Sequence, residues 1–213
     1  MIEIRDVSLI IDKREILKRI NLVLEKNQIY GLVGKNGSGK TMLMKCICGF
    51  VRQTAGEIRV DGKRIGTDVD FPEHTGIIIE SPGFIPYYTG FQNLRFLAGI
   101  NHRIQDADIR DALLQCGLDP DLKLAVRKYS LGMRQRLGIA QAIMEQPRLL
   151  ILDEPTNGLD HQGVEEIRKL VLHLRETGTT ILMASHNAED IQILCNSVWE
   201  MANGELIEYR KTV

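Results

Sequence analysis

Apolar and polar residues alternate from residue 2 to 10 and again from 16 to 24, with the polar turn Asp12-Lys13-Arg14 between them. A period of two predicts two half-buried strands joined as an antiparallel hairpin. Residues 28–33 then form an apolar run ending in a glycine-rich stretch, and a helical segment follows over 41–48. Residues 56–62 read as a strand between glycine turns, and 76–79 as a short apolar strand. Helical spacing takes over from residue 81 to about 146, including 104–116 and 131–145. The alternation returns with a strand at Leu149–Asp153, a helix over 163–176, a strand over 179–184, a helix over 188–195 and a hairpin over 198–209. Strand, glycine loop and helix in sequence, repeated later, predict an α/β fold. The expected architecture is one domain over 1–213, with an antiparallel β subdomain in front and a helical subdomain inserted at about 81–146. No internal repeat or low-complexity linker interrupts it.

Composition narrows the picture. Hydrophobic residues make up 44% and charged residues 26% of the 213, the mix of a soluble globular protein. The net charge of −1, from 27 basic and 28 acidic residues, gives no sign of a nucleic-acid partner. The opening MIEIRDVSLI is acidic where a secretion signal is basic, and no run reaches the roughly 18 apolar residues of a membrane span. Work at a membrane would therefore be that of a peripheral subunit. Cys46 and Cys48, two apart on a helix, point about 200° from each other. With Cys116 and Cys195 they read as buried thiols of a reducing compartment, not as a metal site or disulfide.

The glycine loop carries the clearest chemistry. Gly34, Lys35, Asn36, Gly37, Ser38, Gly39, Lys40 and Thr41 fit G-x-x-x-x-G-K-[ST] between a strand and a helix. Glycines let backbone N–H groups turn inward around phosphate oxygens, and the helix N-terminus adds positive potential. Lys40 reaches the β- and γ-phosphates in such a loop, and Thr41 offers a hydroxyl to Mg²⁺. Downstream, the buried strand 149–152 ends in Asp153-Glu154, where α/β sheets place ligands. Asp153 is the candidate Mg²⁺ ligand and Glu154 the candidate base for the attacking water.

A GTP-specific protein would carry an N-K-x-D motif, and none is present. Instead, Tyr129-Ser130-Leu131-Gly132-Met133-Arg134-Gln135-Arg136 starts a helix some twenty residues before Asp153. This segment resembles the L-S-G-G-Q signature of ATP-binding-cassette proteins. The same family order continues in Asp153-Glu154-Pro155-Thr156, in the loop Asn157-Gly158-Leu159-Asp160, and in His186 at a strand end. The resemblance covers essentially the whole chain. It implies a P-loop NTPase core that binds ATP and Mg²⁺ and works as a head-to-tail dimer with a second nucleotide-binding domain. Glu154 and His186 would be catalytic, Thr41 and Asp153 would hold the metal, and Asp160 would lie at the dimer interface. Ser130, Leu131, Gly132 and Met133 would act on the partner's nucleotide. It further implies a separate integral-membrane permease and a peripheral place on the cytoplasmic face of the bacterial inner membrane.

Three positions depart from the family pattern. Leu131 and Met133 replace a glycine and the glutamine of the signature. The nearest counterpart of the usual adenine-stacking aromatic is Ile11, which implies weak discrimination between ATP and GTP. Glu80 stands where a Mg²⁺-touching glutamine is usual, and adds a third candidate metal ligand. The stretch Ile79-Glu80-Ser81-Pro82 resembles ATPases of bacitracin- and lantibiotic-type peptide export and immunity systems. Five of the chain's rings, Phe84, Tyr87, Tyr88, Phe91 and Phe96, crowd between residues 81 and 96. Phe91, Leu94 and Leu97 fall at helical spacing and read as core, whereas Tyr87 and Tyr88, in a Pro/Gly-bounded loop, are the candidates for permease contact. A soluble regulatory ATPase using the same dimer switch is the competing expectation.

Overall fold

The computed structural model describes residues 2–80 and 82–209. The chain begins with β1 (Ile2–Ile11), β2 (Arg14–Leu24), β3 (Ile29–Val33), α1 (Lys40–Ile47), β4 (Ala55–Val60), β5 (Lys63–Arg64) and β6 (Thr75–Ile78). Three helices follow, α2 (Gly90–Asn101), α3 (Asp106–Gln115) and α4 (Leu131–Ile143), with a 3₁₀ turn at Val126–Lys128 before the last. Then come β7 (Leu149–Asp153), α5 (His161–Glu176), β8 (Thr180–Ala184), α6 (Ala188–Leu194), β9 (Ser197–Ala202) and β10 (Glu205–Tyr209).

Two sheets organise these elements. The first is antiparallel, in the order β2-β1-β4-β5; the second has six strands in the order β10-β9-β3-β8-β7-β6. β9, β3, β8, β7 and β6 run parallel, and β10 closes one edge as an antiparallel hairpin partner of β9. The sequences explain the difference. β1 alternates buried and open positions, as a sheet with one covered face requires. β7 (LLILD) and β8 (TILMA) are apolar almost throughout and buried on both faces, as central parallel strands are. The fold is therefore α/β.

The two faces of the large sheet carry separate cores. One joins it to the antiparallel sheet through α1, whose Leu43, Met44, Cys46 and Ile47 are fully buried. With both sheets around α1, Cys46 and Cys48 are both enclosed despite pointing apart. Burial pushes their thiols up to about 11 and about 12, as it does Cys116 to about 12, so all three stay protonated. The other core packs α2 to α6 on the opposite face.

Some boundaries and faces differ from the pattern-based expectation. β5 is only two residues long and gives no periodic signal. α5 starts at His161 because Asp160 caps it, accepting the Gly163 N–H at 2.9 Å. In α2, Leu94 is core, Phe91 and Leu97 are half-buried against it, and Phe96 is exposed. Ser81, at the head of the expected helical subdomain and aromatic loop, lies outside the described residues. Among the described residues no helix is long and apolar enough to cross a membrane.

Candidate functional site

Strand register places the chemistry. Asp153 at the end of β7 pairs with Ala184 at the end of β8, and Ala184 pairs with Leu32 in β3. The glycine loop, the acidic pair and the His186 segment therefore leave the sheet at one C-terminal edge, where open α/β sheets bind ligands.

The loop has a backbone that side chains would obstruct. Gly34 and Gly39 take φ of 142° and 114°, and a Cβ on Gly34 would run into the Met201 carbonyl. The β9–β10 hairpin braces the loop: Gly204 N–H donates to the Ser38 carbonyl at 3.1 Å, and Lys18 N–H to the Gly204 carbonyl at 2.8 Å. Lys40 is almost buried and curls over the loop, donating to the Gly34 and Lys35 carbonyls at 2.6 and 3.2 Å. The Ser38 hydroxyl is buried and, among the described residues, has no hydrogen-bond partner. An orphaned buried hydroxyl inside a glycine cradle fits a site built for an anion.

The acids split by environment. Asp153 Oδ2 accepts the Thr41 hydroxyl at 2.7 Å. Burial pushes the Asp153 carboxyl above its ordinary range and the charge of Glu154 adds to this, while the Thr41 bond and Lys40 oppose them. A carboxylate held at such a cost beside a hydroxyl is a natural seat for a divalent cation. No cluster of three or more His, Cys, Asp or Glu suited to a metal occurs among the described residues. A cation here would thus depend on one carboxylate, one hydroxyl and ligand oxygens, as Mg²⁺ commonly does. Glu154 has a φ of 52°, and its N–H donates to the Ala184 carbonyl at 2.9 Å. Glu154 Oε2 lies 2.8 Å from His186 Nδ1 and accepts the His186 N–H at 3.3 Å.

A cleft of about 640 Å³ runs along this edge, lined by residues 36–42, Ile16, Glu80, Leu131, Gln135, Asp153, Glu154 and Asn157. His186 stands in an adjoining groove of about 670 Å³ that shares the loop at Gly34 and Lys35. Glu80, in the same cleft as Asp153, pairs with Lys45 of α1 at 2.7 Å. Of the signature segment, Leu131 and Gln135 line the cleft of their own chain, whereas Ser130, Gly132 and Met133 are not among its lining residues. Ser130 caps α4 through the Met133 N–H at 3.1 Å and is exposed, and Gly132 and Met133 are half-buried. Asp160 is exposed at the start of α5.

Ile11 does not line the cleft. It pairs with Arg14 at the tip of the hairpin, and Ile16, one strand later, lines the cleft together with Met42 and Leu131. Periodicity marks both as strand residues and cannot tell which is nearer the loop. Gln135 also escaped sequence reasoning: its amide donates to the carbonyls of Glu154 and Pro155 at 3.2 and 3.0 Å, tying the signature helix to the acidic loop.

A family model for the ABC transporter matches residues 17–157, well over half of the chain. The chain belongs to the ABC transporter family. It is 42% identical over 213 residues to the uncharacterized ABC transporter ATP-binding protein YybJ of Bacillus subtilis, covering 100% of this chain and 98% of that one. It is 41% identical over 195 residues to the bacitracin transport ATP-binding protein BcrA of Enterococcus faecalis, covering 91% of this chain but 63% of BcrA. Among solved structures, the dimeric ATP-binding cassette MJ0796 bound to ADP and Pi superposes with a TM-score of 0.90 at 21% identity, over 100% of each chain. The ABC fold therefore holds across the whole length, including the part beyond residue 157.

Proposed function

We propose that this ABC protein hydrolyses MgATP as the ATP-binding subunit of a bacterial transporter, seated on the cytoplasmic face of the membrane and driving a separate permease. The observation that carries this reading is the convergence at one sheet edge of the glycine cradle with its orphaned Ser38 hydroxyl, the Thr41–Asp153 contact and the Glu154–His186 pair. The N–H groups of residues 34–41 and the Lys40 ammonium hold the phosphates, and Thr41 and Asp153 hold Mg²⁺, with Glu80 as a further ligand. When bound, Mg²⁺ neutralises charge on the transferring phosphoryl group. Glu154 orients and deprotonates the attacking water, and His186 contacts the γ-phosphate end of the site. Ile16 offers the base an apolar contact but no ring to stack on, which favours loose selection between ATP and GTP.

The exposed signature segment acts on a second cassette. Ser130 and Gly132 present a hydroxyl and N–H groups at a helix N-terminus, suited to the phosphates of a partner's ATP. Asp160 faces the same interface. A third concavity of about 660 Å³, between β6 and the inserted helices, is bordered by Phe50, Phe71, Leu97 and Ile100. Phe50 and Phe71 are exposed and meet edge-on at 6.0 Å. This groove, and separately the exposed Tyr87 and Tyr88, offer apolar surface to a short permease segment. Similarity to BcrA favours export of an antimicrobial peptide.

Purification of Glu154→Gln protein in detergent with MgATP, from cells that make it naturally, tests the reading. Recovery of a stoichiometric membrane permease is expected. Recovery of soluble partners alone, from membranes shown to be solubilised, would overturn the transport assignment.

A further inference from the structure

Behind the catalytic edge lies a buried knot of charges that the cleft does not use. Asp190, on the first turn of α6, is 0% exposed, and Arg168 of α5 is 4% exposed. Asp190 Oδ1 accepts Arg168 Nε–H at 2.7 Å and also lies 2.6 Å from Arg168 Nη2. Asp190 Oδ2 accepts the Thr156 hydroxyl at 2.6 Å. Arg168 extends its remaining N–H groups to Glu165 at 2.7 Å and Glu189 at 2.9 Å. Burying an ion pair this fully is justified energetically only when every partner is met, and here each is.

What the knot joins is informative. Thr156 follows Glu154 by two residues, and Asp190 follows His186 by four. The two segments already touch at the cleft, where Glu154 N–H bonds the Ala184 carbonyl and Glu154 Oε2 meets His186. The Thr156–Asp190 bond ties the same two segments again on their buried side. A single tie sets a distance, whereas two ties on opposite sides also set the rotation of one segment over the other. The Asn187 carboxamide, which caps α6 by accepting the Glu189 N–H at 2.9 Å, fixes the turn between His186 and Asp190.

We infer that Thr156 and Asp190 are positioning residues for hydrolysis: their bond, anchored on Arg168, sets the orientation of the Glu154 carboxylate against His186. Neither touches the cleft, so the effect falls on turnover and not on nucleotide binding. The inference rests on the assignment of hydrolysis to Glu154.

Thr156→Val removes the hydroxyl and little volume, while Asp190 keeps Arg168 as its partner. It is expected to lower kcat about tenfold with the KM for ATP close to wild type, since misplacing a reacting group by a fraction of an ångström costs this much. The melting temperature should fall modestly, because Asp190 Oδ2 loses its donor. Thr156→Ser, which keeps the donor, should restore most of the loss. A Thr156→Val kcat within about twofold of wild type, a parallel rise in KM, or no rescue by serine would each overturn the clamp. Glu154→Gln run alongside separates the two claims. Turnover surviving in Glu154→Gln would sink the catalytic assignment and the clamp together. Its loss beside a normal Thr156→Val would sink the clamp alone.

Discussion

Two helix N-termini in this ABC protein are candidates to face phosphate, and they are built in opposite ways. α1 begins at Gly39, in a left-handed backbone with no side-chain cap, and is enclosed between two sheets. α4 begins at Ser130, whose hydroxyl caps the helix, and the next residue, Leu131, is 64% exposed. The first end leaves its N–H groups to the cradle and draws its stability from burial along the rest of the helix. The second satisfies its own N–H group and stands at the surface, so it holds its shape alone and is open to another molecule. On the function proposed, one is a site within the chain, and the other is half of a site between chains.

The comparison breaks most visibly at the buried end. Lys40→Ala removes a charge and its donors from the cradle and is expected to weaken ATP binding by a hundredfold or more, given ~1.5–3 kcal/mol for each charged hydrogen bond. Isothermal titration on the isolated protein measures it. Affinity within about threefold of wild type would mean that Lys40 does not face phosphate.

At the exposed end, stability and activity should part. Asp is as good a helix cap as Ser and suits the positive end of the helix dipole, so Ser130→Asp should leave the melting temperature unchanged or slightly raised, by ~0.3–1 kcal/mol of stability at most. ATP affinity of the monomer should also hold, while turnover falls at least about tenfold because a carboxylate then opposes the partner's phosphates. Mixing the two variants sharpens the result. In a head-to-tail dimer of Lys40→Ala with Ser130→Asp, both defects fall in one site and the other is intact, so about a quarter of wild-type turnover returns. No recovery on mixing would mean that Ser130 serves its own chain or neither.

The same contrast explains what was legible beforehand. The cradle was readable because its chemistry is contiguous: Gly34 to Thr41 are neighbours in sequence, and strand and helix signals flank them. His186, two residues beyond β8, was singled out by the family resemblance, whereas the placement of Asp153 at the sheet edge was readable because it ends an apolar strand and Glu154 follows it. Ile16, Gln135, Lys45 and the Arg168–Asp190 knot were not, since their roles come from packing between elements far apart in the chain. Arg168 lies in an amphipathic helix where a solvated position is the ordinary expectation for a charge, and only the fold shows it buried. That Ile16 lines the cleft and Ile11 does not was hidden for a related reason: alternation names a strand without fixing its depth in the sheet.

Strain at the buried end has a pH signature. Because burial raises the Asp153 carboxyl above its ordinary value, the folded protein holds that proton more tightly than the unfolded chain. Ionisation of Asp153 therefore subtracts stability once pH rises past the usual carboxylate range, and the penalty is fully present at neutral pH. Asp153→Asn is expected to melt higher than wild type at about pH 7, with the gap closing as pH falls below about 4. Thermal melts across that range, without nucleotide or Mg²⁺, read it directly. A lower melting temperature at neutral pH would show that the bond from Thr41 outweighs burial.

The smallest expected effect concerns Glu80, which lines the cleft but is paired with Lys45 outside it. If Glu80 serves Mg²⁺, then Lys45 competes with the metal for it, and removing Lys45 should tighten Mg²⁺ binding. Glu80 is largely exposed, so the pair is worth no more than ~1 kcal/mol, which caps the gain at roughly fivefold. Lys45→Met keeps the side-chain length that packs along α1 and deletes the charge. The Mg²⁺ concentration for half-maximal ATP binding should fall about twofold to fivefold, and adding Glu80→Gln should abolish the gain. An unchanged Mg²⁺ requirement would leave Glu80 as a partner of α1 alone, and the departure from glutamine would then bear on the groove beside β6 and not on the metal.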